Sequence, residues 1–139
     1  MIIDKSFSHI DINTRIIVCE ENNVRYIANN TKIAIVYKFK IDGEVISNSQ
    51  QKRCDYLVEN ETTRNAYFVE LKGADIAKAY LQLRETIHAF ADCLSDYYIH
   101  CRVVCSKIPT HNINGSEYRN LRKICKDIQQ KSRQLEEDI

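Results

Sequence analysis

The sequence predicts an α/β fold in which a central mixed β-sheet, built in the order βββαβ, is flanked by helices. Two kinds of periodicity support this fold class. Several segments either alternate apolar and polar residues or concentrate aromatic and β-branched ones, as strands do. Between the third and the last of these segments, apolar residues recur at helical spacing along one face. We expect a single domain over residues 1–139, with its core at about 32–108.

The first strand of this core is predicted at residues 32–41, after a weakly patterned N-terminal segment. Within that segment, residues 15–19 are typical of a short strand, and the asparagine-rich stretch up to Thr31 is typical of a loop. Strict alternation in residues 32–41 predicts a half-buried strand. Its apolar side would carry Ile33, Ile35, Tyr37, Phe39 and Ile41. Asp42-Gly43 is a tight-turn signal that ends the strand.

A hairpin is predicted next, because segments 53–59 and 66–73 are rich in aromatic and β-branched residues and are separated by the polar stretch 60–65. If Glu59 faces Ala66 where the loop closes, the chain positions fix the other partners. These partners are Leu57 with Phe68, Asp55 with Glu70, and Arg53 with Lys72. All of them would share one face of the hairpin, whereas a slip of one residue would separate them.

Asp55 and Glu70 are the most informative residues of the chain, because this hairpin would place two carboxylates side by side. Directly opposed like charges are destabilising, so the pair requires either a shared proton, which raises one carboxyl pKa, or a bound cation. Mg²⁺ prefers oxygen ligands and is often held by one or two carboxylates. Lys72 lies two residues after Glu70 on the same face and favours the cation. The sequence therefore predicts a divalent-metal site at this end of the hairpin.

A helix is predicted over residues 74–91, followed by a buried strand over 96–106. The apolar face of the helix would carry Ile76, Ala79, Tyr80, Leu83, Ile87 and Phe90. Lys78 and Gln82 fall one turn apart on the opposite side. There they either reach a substrate or form an exposed polar face. The helix would place the strand that follows it beside the hairpin.

The C-terminal segment is predicted to form a second helix over about 117–135, with Ser116 as its N-cap. The outer face of this helix would carry the basic residues Arg119, Arg122, Lys123, Lys126, Lys131 and Arg133. A basic helix close to a nucleic-acid site would hold backbone phosphates. A solvated charged face explains the same pattern, so both interpretations stay open.

The hairpin resembles the motif of the PD-(D/E)xK nuclease superfamily. In that superfamily an acidic residue on one strand is followed on the next by Asp or Glu, any residue and Lys, with a helix after it. Cys54-Asp55 matches the first element without its proline, and Glu70-Leu71-Lys72 matches the second. The resemblance is strongest over about residues 33–108 and implies a restriction-endonuclease-like core.

This resemblance implies divalent-metal-dependent hydrolysis of a phosphodiester. Asp55 and Glu70 would hold one or two Mg²⁺ or Mn²⁺ ions, with the backbone carbonyl of Leu71 as a further ligand. Lys72 would orient the attacking water or stabilise charge on the phosphate. Superfamily members also use side chains of the following helix and an acid from an N-terminal helix. The matching candidates are Lys78 and Gln82 for the substrate, and Glu20 or Glu21 for the added acid.

Three functional interpretations follow from these residues. The first is a metal-dependent nuclease acting on DNA rather than RNA, because DNA is the commoner substrate in the superfamily. The second is a nuclease-like fold that no longer cuts and serves as a binding or assembly module. The third takes Glu70 and Lys72 as surface charges on an edge strand of an ordinary α/β protein. Metal binding that depends on Glu70 separates the first interpretation from the second, and burial of the carboxylates tests the third.

Composition limits the partners and the compartment. A formal net charge of +1 gives no general attraction to nucleic acid, so any binding surface must be local. The chain starts without an apolar leader and contains no run of roughly 18 apolar residues, so we expect it in the cytoplasm and not in a membrane. Its six cysteines are then expected to stay reduced. A homodimer or a partner protein would supply the specificity that so small a core lacks.

Overall fold

A five-stranded sheet forms the middle layer of the molecule, with two helices on one face and a three-stranded sheet on the other. The computed structural model describes residues 3–42, 44–45, 53–72, 75–107 and 115–139, and for Lys72 only the backbone. A short 3₁₀ helix at Lys5–Phe7 precedes the first strand. The strands and helices, in chain order, are β1 Ile16–Glu21, β2 Val24–Asn29, β3 Val36–Lys40, β4 Tyr56–Asn60, β5 Asn65–Lys72, α1 Ile76–Phe90, β6 Tyr98–Cys105, α2 Ser116–Arg122, β7 Asp127–Ser132 and β8 Gln134–Asp138.

The predicted βββαβ order is present in the large sheet, as β3, β4, β5, α1 and β6. β3, β4 and β5 form an antiparallel meander, and α1 carries the chain to β6, which pairs parallel to β5. The predicted hairpin register is also found, since Glu59 pairs with Ala66 and Leu57 with Phe68. The α/β fold class and the pairing at the centre of the predicted core are therefore confirmed.

The large sheet is buried on both faces. Leu57 and Phe68 pack with the helices, whereas Val58 and Val69 pack with the small sheet. Every residue of β4 is buried, including the polar ones. Covered faces on both sides explain why the two hairpin strands are almost continuously apolar instead of alternating.

Helix α1 lies almost where the sequence predicts it. Asp75 is its N-cap, because the carboxylate accepts a hydrogen bond from the backbone N–H of Lys78 at 3.0 Å. Leu83, Ile87 and Phe90 are buried against the large sheet as expected. The apolar spacing of the helix therefore identified the face that packs on the core.

The N-terminal segment differs from its prediction in two places. The stretch expected to be a loop up to Thr31 contains β2, which pairs antiparallel with β1 through a turn at Asn22-Asn23. Both asparagines have positive φ, 49° and 66°, which suits a two-residue hairpin turn. Ile33 and Ile35, predicted on the buried side of the next strand, are exposed because β3 begins only at Val36.

The cause of this late start is the side chain of Asn30. It accepts a hydrogen bond from the Ala34 N–H at 2.8 Å and donates to the Ala34 carbonyl at 2.9 Å. This local closure replaces strand pairing with a turn, as asparagine side chains often do. Phe39 and Ile41, beyond the turn, are buried as predicted. The predicted turn at Asp42-Gly43 falls partly outside the described residues.

The predicted C-terminal helix over 117–135 is wrong beyond its first two turns. α2 ends at Arg122, β7 pairs parallel with β6, and β8 pairs parallel with β2. Gln, Lys, Arg, Glu and Leu favour a helix in isolation, but pairing with two sheets satisfies the backbone and buries Leu135 between them. Gly115 is the N-cap of α2, and Ser116 is its first residue.

A buried guanidinium ties the two sheets together. The Arg102 side chain on β6 is 3% exposed and donates to Glu137 at 2.7 Å and to Asp127 at 2.8 Å. Tyr26 on β2 donates to the same Glu137 carboxylate at 2.8 Å. His100 contacts Asp127 at 2.8 Å and stacks on the ring of Tyr67. Charge-assisted hydrogen bonds therefore join β2, β6, β7 and β8.

All six cysteines fall in the described residues and are free thiols. Among the helices that the structure describes, none is long and apolar enough to cross a membrane.

We predict that Asp127→Asn lowers the free energy of unfolding in a pH-dependent way. Partial burial opposes ionisation, but hydrogen bonds from Arg102 and His100 lower the pKa of the Asp127 carboxyl below its ordinary 3.8. A lowered carboxyl pKa stabilises the fold above the unfolded pKa and loses that stabilisation as the pH falls through the folded value. Urea titrations should show the deficit of the variant to be largest above about pH 5 and to shrink below about pH 4. A deficit independent of pH would contradict the ionic role.

We also predict that Leu135→Ala lowers the free energy of unfolding by about 2–5 kcal/mol, because it leaves a cavity between the two sheets. Asp138→Ala, on the same strand but exposed, should change it by less than about 0.5 kcal/mol. Chemical denaturation of both variants checks this. Equal small effects would mean that β8 does not pack as described.

Candidate functional site

Asp55 and Glu70 lie at the same end of the β4–β5 hairpin. The strand ladder reaches Tyr56 opposite Val69, one residue short of the predicted Asp55–Glu70 pair. Asp55 nevertheless stays in the sheet, because its N–H donates to the Val69 carbonyl at 3.1 Å and its carbonyl accepts from the Ile41 N–H at 2.9 Å. The backbone on both sides of Asp55 is therefore fixed by β3 and β5.

The alternation of the strand is interrupted at Asp55. Cys54 and Leu57 are three residues apart, yet both pack in the core beneath the helices. Strict alternation would send them to opposite faces. An irregularity of this kind re-aims a side chain at the end of a strand. It turns the Asp55 carboxylate towards β5, where Oδ2 accepts a hydrogen bond from the backbone N–H of Leu71 at 2.7 Å.

Both carboxylates are withdrawn from solvent. Asp55 is 5% exposed and Glu70 is fully buried. Burial raises the pKa of the neighbouring Cys54 thiol well above its ordinary value, and the charges of Glu70 and Asp55 raise it further. The interpretation of Glu70 as an exposed charge on an edge strand is therefore wrong, because β5 lies between β4 and β6.

Lys72 is the last residue of β5, and its backbone pairs with Cys105 of β6. Its side chain lies outside the described residues, so the predicted proximity of the ammonium to Glu70 stays a prediction. The predicted pairing of Lys72 with Arg53 also falls beyond the ladder between β4 and β5. Leu71 lies between Glu70 and Lys72 and is buried. Its amide contacts Asp55, and the role of its carbonyl as a metal ligand stays a prediction.

Glu21, the last residue of β1, is half-buried, whereas Glu20 is exposed, so Glu21 is the better candidate for the extra acid. Burial raises the pKa of Tyr56 to about 12, and the charges of Glu21 and Asp55 both contribute to that increase. The same two carboxylates act on Cys19, whose pKa burial raises to about 12. Glu20 is exposed and lies 3.7 Å from the Arg25 side chain instead. The resemblance implied an acid from an N-terminal helix, whereas Glu21 is the last residue of strand β1.

Asp55 and Glu70 offer carboxylate oxygens, which are the donors that a hard cation binds. Among the described side chains, no group of three or more His, Cys, Asp or Glu residues is arranged to hold a metal ion. Mg²⁺ does not require such a cage, since it often binds one or two carboxylates and completes its shell with waters and phosphate oxygens. Asp55 and Glu70 therefore fit Mg²⁺ or Mn²⁺.

Gln82 and Lys78, predicted together on the outer side of α1, are separated by the structure. Gln82 is 8% exposed and faces the sheet, where its Nε2 donates to the Arg53 carbonyl at 3.0 Å. Thr86, one turn later, donates to the Gln82 carbonyl at 2.7 Å and accepts from the Cys54 N–H at 2.8 Å. Lys78 is exposed. The prediction of a shared polar face is wrong, because the chain leading to Asp55 presents backbone groups that α1 must satisfy.

The basic residues predicted on one C-terminal helix do not share a helix face. They are Arg119 and Arg122 on α2, Lys123 at its C-cap, Lys126 just before β7, Lys131 on β7, and Arg133 between β7 and β8. Arg133 is thereby placed beside the end of β6, which no sequence pattern indicated. Lys38 on β3 donates to the Val18 carbonyl and lies over the Tyr56 ring.

Comparison of the chain with protein-family models, with curated proteins and with solved structures gives no match. Any function assigned to it therefore rests on its own residues and their geometry.

We predict that Gln82→Ala lowers the free energy of unfolding by about 1–2 kcal/mol, because it removes a buried hydrogen bond to the segment before Asp55. Lys78→Ala, four residues earlier on the exposed side, should change it by less than about 0.5 kcal/mol. Denaturant titration of the two variants makes the comparison. Equal stability of Gln82→Ala and the wild type would remove the structural role assigned to Gln82.

Proposed function

We propose that this protein is a divalent-metal-dependent nuclease that hydrolyses phosphodiester bonds, with DNA preferred over RNA. One observation carries the proposal. The carboxylate of Asp55 accepts a hydrogen bond from the Leu71 amide, and a second buried carboxylate, Glu70, belongs to the residue before Leu71 on the adjacent strand. This arrangement is what a metal-dependent phosphodiesterase requires at the point where its cation binds.

The order of the surrounding elements supports the same proposal. In the proposed restriction-endonuclease-like core, the first acid begins the middle strand of a meander, and the second lies near the end of the next strand. Asp55 directly precedes β4, and Glu70 is the third residue from the end of β5. Helix α1 then leads to β6, parallel to β5. Element order and residue positions are independent features, and both agree with the motif.

Each residue has a distinct part in the proposed reaction. The Leu71 N–H fixes the Asp55 carboxylate, so this group does not have to reorganise when a cation arrives. Glu70 extends from a strand paired on both sides, which holds its backbone rigid. Asp55 and Glu70 would hold Mg²⁺ or Mn²⁺, which would lower the pKa of a bound water and offset charge on the phosphate. Lys72, two residues beyond Glu70, would stabilise that phosphate or orient the water.

Glu21 adds a third carboxylate at the edge of this site. Its charge acts on Tyr56 and Cys19 together with that of Asp55. We assign it the part of the extra acid, which would help to hold the cation or orient the attacking water. A homodimer would bring two such sites onto one substrate.

We predict that the wild type cleaves nucleic acid in Mg²⁺ or Mn²⁺ and that Glu70→Gln lowers the rate on the order of 10²-fold or more, because the cation loses a ligand. The assay is a panel of linear, circular, single-stranded and branched DNA, with RNA added. The Lys72→Ala variant should lose a comparable rate with the cation still bound. Thermal denaturation with and without Mn²⁺ reports binding separately, since a bound cation stabilises the folded state.

Glu59→Gln is the matched control for Glu70→Gln. Glu59 is a buried carboxylate on the same hairpin but at its opposite end, where it contacts Lys5 and Tyr97 at 2.7 Å each. At temperatures well below unfolding, this variant should cut and bind Mn²⁺ as the wild type does. Cleavage that survives Glu70→Gln would refute the proposed site. Stabilisation by Mn²⁺ without any cleavage would favour the alternative, a nuclease-like binding module.

A further inference from the structure

A polar cleft lies at the end of the sheet where β6 terminates, at the turn that follows Glu21. Its volume is about 360 Å³, and its described lining consists of Asn22, Asn23, Val24, Ser106 and Arg133. These residues bring a guanidinium, two amides and a hydroxyl, with no carboxylate among them. A lining of this kind is complementary to an anion with several oxygen atoms.

Arg133 positions this cleft relative to Lys72. The Arg133 N–H donates to the Cys105 carbonyl at 2.7 Å, and its carbonyl accepts from the Arg25 N–H at 2.9 Å. Cys105 in turn pairs with Lys72 across the β5–β6 ladder. Two strand spacings thus separate the backbones of Arg133 and Lys72, which is roughly 10 Å. The other wall is the Asn22-Asn23 turn, which directly follows Glu21.

The conformation of Arg133 is unusual for its residue type. It is the single residue between β7 in the large sheet and β8 in the small sheet, and its φ is 68°. This left-handed region favours glycine or asparagine, and a long side chain occupies it at an energetic cost. Backbone strain of this kind gathers at functional positions. Arg64, in the β4–β5 turn, has a similar φ of 59°, so the conformation alone assigns no function to Arg133, and its surroundings must do so.

The guanidinium of Arg133 also differs from its neighbours in its contacts. Arg25 contacts Gln134 and Glu20, and Arg102 is bound by Glu137 and Asp127. In the part of the chain that the structure describes, no carboxylate lies within ion-pair distance of Arg133. Its side chain is exposed at the cleft. The positive charge of the cleft is therefore not neutralised by a described acid.

We propose that Arg133, with Asn22, Asn23 and Ser106, binds a backbone phosphate of the nucleic-acid strand, next to the phosphate that is cut at Asp55 and Glu70. This inference rests on the proposed nuclease function and adds a substrate contact to it. A guanidinium binds phosphate through two parallel hydrogen bonds. Amide and hydroxyl groups are common additional donors to phosphate oxygens. The contact reads the backbone and not the base sequence.

The test is equilibrium binding of a fluorescently labelled DNA duplex and of its single strand, measured by anisotropy in EDTA so that no cleavage occurs. Arg133→Gly is the informative variant, because glycine removes the guanidinium and also relieves the positive φ. We expect binding about 10-fold weaker at low salt, and a plot of log affinity against log salt that is less steep by about one phosphate contact. Arg133→Lys keeps the positive charge but not the paired hydrogen bonds of the guanidinium. Its DNA affinity should therefore lie between those of the wild type and Arg133→Gly.

Arg64→Gly is the matched control. Arg64 is also an arginine with positive φ, 59°, but it lies in the β4–β5 turn at the other end of the sheet. It should bind DNA as the wild type does. Circular dichroism and thermal denaturation of both glycine variants establish that they fold, and Arg133→Gly is expected to melt no lower than Arg64→Gly.

The outcomes separate the inference from the nuclease proposal. A wild type that cuts DNA while Arg133→Gly binds with unchanged affinity and salt dependence would overturn the inference and leave the nuclease intact. A wild type that binds but never cuts would refute the nuclease, and selective weakening by Arg133→Gly would still support the phosphate contact. Equal weakening by Arg64→Gly would overturn the inference, because the effect would not be local. A wild type that neither binds nor cuts would refute both.

Discussion

The pairing of β4 with β5 is the constraint on which the rest of the molecule depends. These two strands are buried on both faces, with helices on one side and the small sheet on the other. Their neighbours, β3 and β6, are aligned by them in turn. A slip of one residue would exchange the side chains that face the two cores. Phe68 would then face the small sheet, and Val69 would face the helices. The relative position of Asp55 and Glu70 follows from the same register.

The central part of this fold could be predicted because its signals are local. The spacing of apolar residues identified α1, and the composition of two short segments identified β4 and β5. The C-terminal strands could not be found in this way, because Gln129, Lys131 and Leu135 belong to residue types that favour helix. Their strand conformation comes from β6 and β2, which are remote in sequence. Asn30 shows the opposite case, in which a single side chain delays a strand that the alternating pattern predicts from residue 32.

For the candidate site, the sequence indicated the residues but not their contacts. The strand register predicted from the sequence placed Asp55 and Glu70 at the same end of the hairpin. The structure has both residues at that end, and both are buried. The bond from the Leu71 amide to Asp55 could not be foreseen, because it depends on the interrupted alternation at Asp55. Gln82 was misplaced because helical spacing alone does not reveal that the incoming chain leaves a carbonyl for it to satisfy. Arg133 reached its position only through the unexpected strand switch.

The parallel pairing of β8 with β2 has a consequence for the order in which the chain can fold. β1 and β2 leave the ribosome first, but a two-stranded hairpin is marginally stable in water. The third strand of their sheet, Gln134–Asp138, is synthesised more than 100 residues later, as the pairing of Arg25 with Gln134 shows. Contacts of such sequence separation form slowly. The N-terminal hairpin therefore gains its stable partner only when synthesis reaches Leu135 and Glu137, and the layer behind the candidate site closes last.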